Sequence, residues 1–324
     1  MGSTFYFNFE VELMTWIQSF MGTALTAAAS FFTICGEEAL LVGILGFLYW
    51  VYDKKAAQYI GLNIIAGIVF TPLLKNLVLR RRPYFDHEAI RCLKPVHSGD
   101  IYDISAQGFS FPSGHSTNSV IMYGSLPLIR RNVKPETGLQ KASFLYKKSF
   151  VLTAIGIVMP LLIGLSRIAL GVHYPTDVLS GWILGTVILF ALSYIQGKTQ
   201  KRGILYVALL LMCLPGMFYC KTNDYYTCYG VMAGYFLANT IEERYIKFES
   251  TRNVPAALLR LVAGMGLYYA LNTVCKLPFS AEFLTSGTSA AYMVRCARYF
   301  LVSFLMLGLY PLSFKTVEAK LFKK

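Results

Sequence analysis

The sequence predicts an all-α fold, a polytopic bundle of transmembrane helices, and three observations carry that expectation. Of the 324 residues, 55% are hydrophobic and only 15% are charged, where a soluble domain of this size carries roughly 25% charge. The mean hydropathy is +0.50. Several windows also approach the ~20 consecutive apolar residues that cross a bilayer.

The elements follow in order along the chain. Residues 13–35 are uncharged but interrupted by Thr15, Gln18, Ser19, Thr23, Thr26 and Ser30, and only Gly36, Glu37 and Glu38 separate them from the next apolar run. So short a join is tight for two antiparallel spanning helices. Residues 1–36 are therefore expected to form an N-terminal segment that is interfacial around Trp16 to Phe20. Nine spans are expected after it, near 37–52, 56–78, 115–130, 150–166, 176–195, 204–219, 227–241, 255–274 and 297–312. No basic residue precedes Lys54, so no secretory signal peptide is expected and the first membrane segment serves as its own insertion signal. The connection from Arg80 to Phe111 exceeds 30 residues, a length usual for a lid or binding loop. A second polar connection covers 275–294.

The formal charge of +13 does not imply nucleic acid, because the basic residues sit in short loops between apolar runs, where anionic lipid attracts them. Summed by side, 18 Lys and Arg fall in the loops around 54–55, 130–148, 198–202, 244–252 and 315–324, against 11 on the opposite side. The richer side is expected to be cytoplasmic. Seven cysteines form no C-x-x-C pair and no metal spacing; Cys220 and Cys228 flank a short loop and are the one pair placed to bond.

Three stretches fall together on the poorer side: "KNLVLRRRP" (75–83), "FPSGHS" (111–116) and "SRIALGVHYPTD" (166–177). Ionisable residues at such depth imply function by default. Pro112 suits a first helical position, and Ser113 and Gly114 would then offer unpaired N–H groups, an anion site. Lys75 adds a point charge, and Arg82 and Arg167 add planar forks that match phosphate oxygens. Asp177, four residues after His173, can accept the Nδ1–H and leave Nε2 as a nucleophile. His115, at the edge of the anion site, can protonate a leaving oxygen. The set reads as phosphoryl transfer through a phosphohistidine, with positive charge in place of a metal.

Lys75-x6-Arg82-Pro83, Pro112-Ser113-Gly114-His115 and Ser166-Arg167-x5-His173-x3-Asp177 resemble the three motifs of the type 2 phosphatidic acid phosphatase superfamily in order, spacing and hydrophobic context. The resemblance covers roughly residues 35–195 and no motif position is substituted. It implies a helical core over 37–197, metal-independent hydrolysis of a phosphomonoester or pyrophosphate without a cofactor, and lipid substrates. It makes His173 the nucleophile, Asp177 its orienting partner and His115 the general acid, with Lys75, Arg82, Ser113, Gly114 and Arg167 holding phosphate. Residues 198–324 add spans without a recognised motif. A lipid phosphotransferase of the same superfamily is the nearest alternative, and a non-enzymatic anion or lipid transporter is one from another class. The motifs do not name the lipid or the oligomeric state.

Outside the motifs, Arg80 and Arg81 are expected to be snorkelling anchors at a helix end. His87 and His97, with Asp86, Glu88, Asp100 and Asp103 nearby, match no metal spacing and are expected to be solvated loop residues.

Overall fold

The computed structural model describes Gly2 and residues 5–95, 97, 100–135, 143–199 and 201–321. Residues 136–142 of the 130–148 loop, expected to face the cytoplasm, lie outside the described residues. Those described form helices and connecting loops with no β-strand, the fold class expected of the sequence. They divide into two compact units, Met1–Val42 with Phe70–Lys198, and Gly43–Val69 with Thr199–Lys324.

The first unit opens with α1 (Asn8–Ser19) and α2 (Thr23–Ile34), bent by 119° at their junction. In α1 the buried residues are Glu10, Met14 and Gln18, one face at a four-residue spacing, while Phe9, Leu13, Trp16 and Phe20 are exposed on the other side. The start of α3 (Glu38–Phe47) and the end of α4 (Lys54–Val78) follow. The long connection is ordered by two short helices, α5 (Pro83–Asp86) and α6 (Ile104–Gln107). Then come α7 (Gly114–Ser125), α8 (Ile129–Asn132), α9 (Phe150–Ala169) and α10 (Pro175–Lys198).

Helix α7 is polar yet enclosed: Ser116, Thr117, Asn118, Ser119 and Ser125 are all buried. Their hydroxyls turn back onto the chain, Thr117 Oγ1 to Ser113 O at 3.1 Å and Ser119 Oγ to Ser116 O at 2.9 Å. Such a helix needs close neighbours, and α10 provides one. A Cβ at Gly181 would lie 2.6 Å from Ser113 O, and one at Gly185 would lie 2.7 Å from Thr117 O. This small-xxx-small spacing brings two backbones together and sets where the first turn of α7 stands.

The second unit contains the π-helical turn Leu48–Tyr52, the first part of α4, and then α11 (Arg202–Cys213), α12 (Gly216–Tyr219), α13 (Asn223–Ile241), α14 (Val254–Val274), α15 (Ala281–Thr285), α16 (Ser289–Phe304) and α17 (Leu312–Leu321). Gly230 and Gly234 let α13 close on Cys296, Phe300 and Ser303 of α16. Arg260 is buried, donating to Trp50 O at 2.6 Å and bridging Glu318 at 2.6 Å.

Among the described residues, six helices are long and apolar enough to cross a membrane, 54–78, 150–169, 175–198, 202–219, 254–274 and 289–309. Three of the nine expected spans differ. The first is only Glu38–Tyr52, a shorter apolar helix. The third is α7, which gives way to a 3₁₀ turn at Leu126–Leu128. The seventh, α13, is long enough but carries four tyrosines, two asparagines and a threonine pair within Asn223–Ile241. No disulfide joins Cys220 to Cys228.

Candidate active site

Three loops converge because small cores pin them. Val172 packs with Ala29, Tyr84 and Leu170, while Tyr174 packs with Met14, Ile90, Ile168 and Val178. His173 is thereby held between two anchored neighbours and is itself buried. The turn before it requires Gly171, whose φ is +77° and whose Cα faces Arg91 O and Gln18 Nε2. Leu93 N–H donates to Leu170 O at 3.0 Å, tying the long connection to the same turn.

Helix α10 begins immediately after. Pro175 has no N–H to satisfy at the first position, and Asp177 reaches back so that its Oδ2 accepts from Tyr174 N–H at 2.8 Å. The other oxygen, Oδ1, pairs with Arg80 Nη1 at 2.7 Å. His173 Nδ1 lies 3.5 Å from Asp177 Oδ2; this is within ion-pair reach but makes no hydrogen bond, and Nδ1 is an unpartnered buried atom. On the other edge of the ring, His173 Nε2 stands 3.4 Å from Arg82 Nη1. Burial, and after it the charges of Arg82, Arg167 and Lys75, push this imidazole well below its usual range. The ring is therefore neutral near pH 7.

Arg82 is fully buried and its fork ties loops together: Nε and Nη2 donate to Gln107 O at 3.0 and 2.7 Å, and Nη1 to Val172 O at 2.9 Å. Arg167 has one hydrogen bond, Nη1 to Thr33 Oγ1 of α2 at 2.7 Å, while its buried Nε and Nη2 have none. His115 Nε2 is likewise buried without a partner, and the His115 ring lies against the turn at Gly36. Lys75, near the end of α4, acts electrostatically on both His115 and His173.

At the start of α7, Ser113 is the N-cap, its hydroxyl accepting from Ser116 N–H at 3.4 Å. The expectation that Ser113 offers an unpaired N–H is corrected, because that group donates to Asp177 O at 3.0 Å. Its physical role is to clip α7 to α10. The donors left at this terminus are the N–H groups of Gly114 and His115, which lie in the first turn, where no intrahelical acceptor exists.

Two further expectations are overturned. Arg80 is no surface anchor: it has no exposure, and besides Asp177 it pairs with Glu10 Oε2 at 2.7 Å and donates to Thr176 Oγ1 at 2.7 Å and Phe5 O at 3.1 Å. Arg81, by contrast, is part-exposed and pairs with Asp86 at 3.2 Å. His87 is not solvated but packs edge-on to Tyr6, with centroids 4.3 Å apart, whereas His97 is exposed. Among the described residues, no group of three His, Cys, Asp or Glu side chains is arranged to hold a metal ion.

Sequence reasoning missed Glu10, Gln18, Thr33 and Gln107. The buried stripe Glu10, Met14, Gln18 was the available signal for the first two; nothing in the sequence marks Thr33 or Gln107.

A profile of the PAP2 superfamily matches residues 56–201, and one of the PAP2 superfamily phosphatase transmembrane extension matches 226–322. The chain is 32% identical over 162 residues to phosphatidylglycerophosphatase B of Bacillus subtilis, covering 50% of this chain and 68% of that one. It is 23% identical over 198 residues to an undecaprenyl-diphosphatase of Sulfolobus acidocaldarius, covering 61% and 83%. It is 30% identical over 159 residues to a lipid A 1-phosphatase of Rhizobium johnstonii, covering 45% and 54%. No solved structure matches it.

Proposed function

For this chain, a multi-pass membrane phosphatase that belongs to the PAP2 superfamily, we propose a specific reaction: hydrolysis of a lipid phosphate or isoprenoid pyrophosphate through a phosphohistidine at His173, without a metal. The observation that carries it is a set of buried side chains with unpartnered polar atoms, near the end of α9 and at the start of α7. Arg167 Nε and Nη2, and His115 Nε2, lack hydrogen-bond partners, and the charges of Arg82, Arg167 and Lys75 all act on His173. Unsatisfied buried donors of this kind are costly unless a ligand completes them, and phosphate oxygens are the acceptors that fit.

In the first step the Nε2 lone pair of His173 forms the P–N bond while the P–O bond to the leaving group breaks. The leaving oxygen takes a proton from His115, whose imidazolium form the bound phosphate dianion stabilises. As the ring becomes cationic, Nδ1–H draws toward Asp177 Oδ2 across the 3.5 Å gap. Arg167, with Lys75 and the N–H groups of Gly114 and His115, stabilises the charge on the equatorial oxygens. In the second step water forms a P–O bond as P–N breaks, and its proton returns to His115. One water is consumed, and phosphate and a lipid alcohol (or a lipid monophosphate) are released.

The lipid class rests on relatives named for phosphatidylglycerophosphate, undecaprenyl diphosphate and lipid A. The excess of basic residues in the opposite loops supports an extracytoplasmic active site. The test is phosphate release by purified protein from phosphatidic acid, phosphatidylglycerol phosphate and undecaprenyl diphosphate, with EDTA present. Turnover in chelator that disappears in His173→Ala is expected. Turnover that needs a divalent ion, or that survives His173→Ala, would overturn the mechanism. Turnover only with an added alcohol acceptor would make the protein a phosphotransferase.

A further inference from the structure

A densely bonded charged cluster of the first unit, around Arg80, Glu10 and Asp177, adjoins the motif residues. Arg80 stands between Phe5 and Tyr174, its guanidinium 4.6 and 4.0 Å from their ring centroids. Its Nε donates to Phe5 O, Nη1 to Thr176 Oγ1 and Asp177 Oδ1, and Nη2 to Glu10 Oε2. Glu10 is fully buried. Its Oε1 accepts from Thr176 N–H at 3.0 Å and Thr176 Oγ1 at 2.6 Å, and its Oε2 from Phe7 N–H at 3.0 Å. The carboxylate of α1 therefore caps the N-terminus of α10 from a remote part of the chain, at the turn that carries His173.

We propose that Arg80 and Glu10 are positioning residues for the nucleophile, forming with Asp177 a buried carboxylate–guanidinium–carboxylate relay that ends at His173. The inference rests on the reading of His173 as nucleophile. The geometry is one that lysine could not reproduce, since a planar fork meets two carboxylates and a hydroxyl in different directions.

The relay has a chemical consequence. A bare aspartate beside His173 would favour the imidazolium, a form that cannot attack phosphorus. Arg80, at 2.7 Å from Asp177 Oδ1, offsets that charge while leaving Oδ2 to orient the ring. Glu10, sharing the same guanidinium, limits the offset so that Asp177 can still support the cation formed during phosphoryl transfer. The other charged or titratable groups facing His173 are Arg82, Arg167, Lys75 and His115, none of which belongs to the relay.

The test is the pH dependence of kcat/KM with p-nitrophenyl phosphate, a phosphomonoester whose leaving group needs no proton. Two variants are compared with wild type: Glu10→Gln, and Glu10→Gln with Arg80→Gln. The double variant keeps the net charge of the buried set but leaves Asp177 without Arg80. Its acid limb is expected to move up by about one pH unit, the usual effect of an opposite charge at this range. Glu10→Gln alone is expected to move the limb down, since Arg80 then faces Asp177 undivided. A cluster that serves only to hold the fold would lower kcat or thermal stability in both variants and move neither limb. Unmoved limbs, or limbs that move together, would overturn the proposal, and if the double variant does not fold, the sign in Glu10→Gln decides by itself. Alkaline quenching of the wild type with radiolabelled substrate separates the two readings. Absence of a phosphoenzyme refutes the nucleophile assignment, whereas a phosphoenzyme with unmoved limbs refutes the relay alone.

Discussion

Replacing Gly181 by alanine adds one methyl group at the place where α10 meets the first turn of α7. That carbon would stand 2.6 Å from Ser113 O and 2.9 Å from Ser116 Cβ, about 1 Å inside ordinary van der Waals contact. Neither neighbour can rotate away, because one is backbone and the other a Cβ on a helix. Separating the helices also strains the Ser113 N–H···Asp177 O bond of 3.0 Å. Overpacking of this kind destabilises by about 1–3 kcal/mol, although alanine is the better helix former by about 1 kcal/mol. The larger effect is on turnover, since the displaced turn carries Gly114 and His115. A misplacement of 1 Å near reacting groups costs about 10²-fold. The assay is kcat/KM on a lipid phosphate together with detergent-state thermal unfolding. Gly266→Ala on α14 is the comparison, because no atom lies within 4 Å of its added Cβ. Wild-type turnover in Gly181→Ala would refute the reasoning that close approach of these helices sets the site.

Three other outcomes are expected. Arg167→Ala should lower kcat/KM by about 10²–10³-fold, the loss typical of a missing oxyanion donor, and Thr33→Val should lower it less because the guanidinium remains; steady-state kinetics check both, and equal losses would mean that Thr33 does more than hold Arg167. Stability should fall as pH drops below about 6.5: the unfolded chain takes up a proton near that pH, while folded His173 is held well below it, so the unfolded state binds more protons. Unfolding temperatures between pH 7.5 and 5 should show this fall, flattened in His173→Asn, and a rise on acidification would contradict it. With single cysteines in a cysteine-free background, an impermeant thiol reagent on intact cells should label position 88 and not position 134, both exposed; the reverse would place the active site on the cytoplasmic face.

The motif residues were legible because each is a polar group where hydrocarbon would penalise it, and His115, Arg167 and Asp177 lie at the ends of α7, α9 and α10, with His173 on the turn between the last two. Arg80 was misread because a charge at a helix end satisfies either an interface or a buried partner, and its partner, Glu10, lies 70 residues away. Ser113 was misplaced: with Pro112 read as the first helical residue it offers a free N–H, whereas it is the N-cap of α7 and its N–H donates to Asp177 O on α10. Helix α7 is shorter than the span expected at 115–130: the hydroxyls of Thr117 and Ser119 are satisfied by carbonyls of their own segment, and glycines on α10 let that neighbour approach closely.

The bend between α1 and α2 bears on where this protein could be cut. Glu10 and Thr33 lie upstream of residue 56, where the match to the superfamily profile begins, yet one holds Arg80 and the other Arg167. A transplant bounded by the recognisable motifs would carry every residue named for the reaction and leave two of its arginines without their supports. Any minimal version of this enzyme, or chimera built from it, has to begin before residue 10.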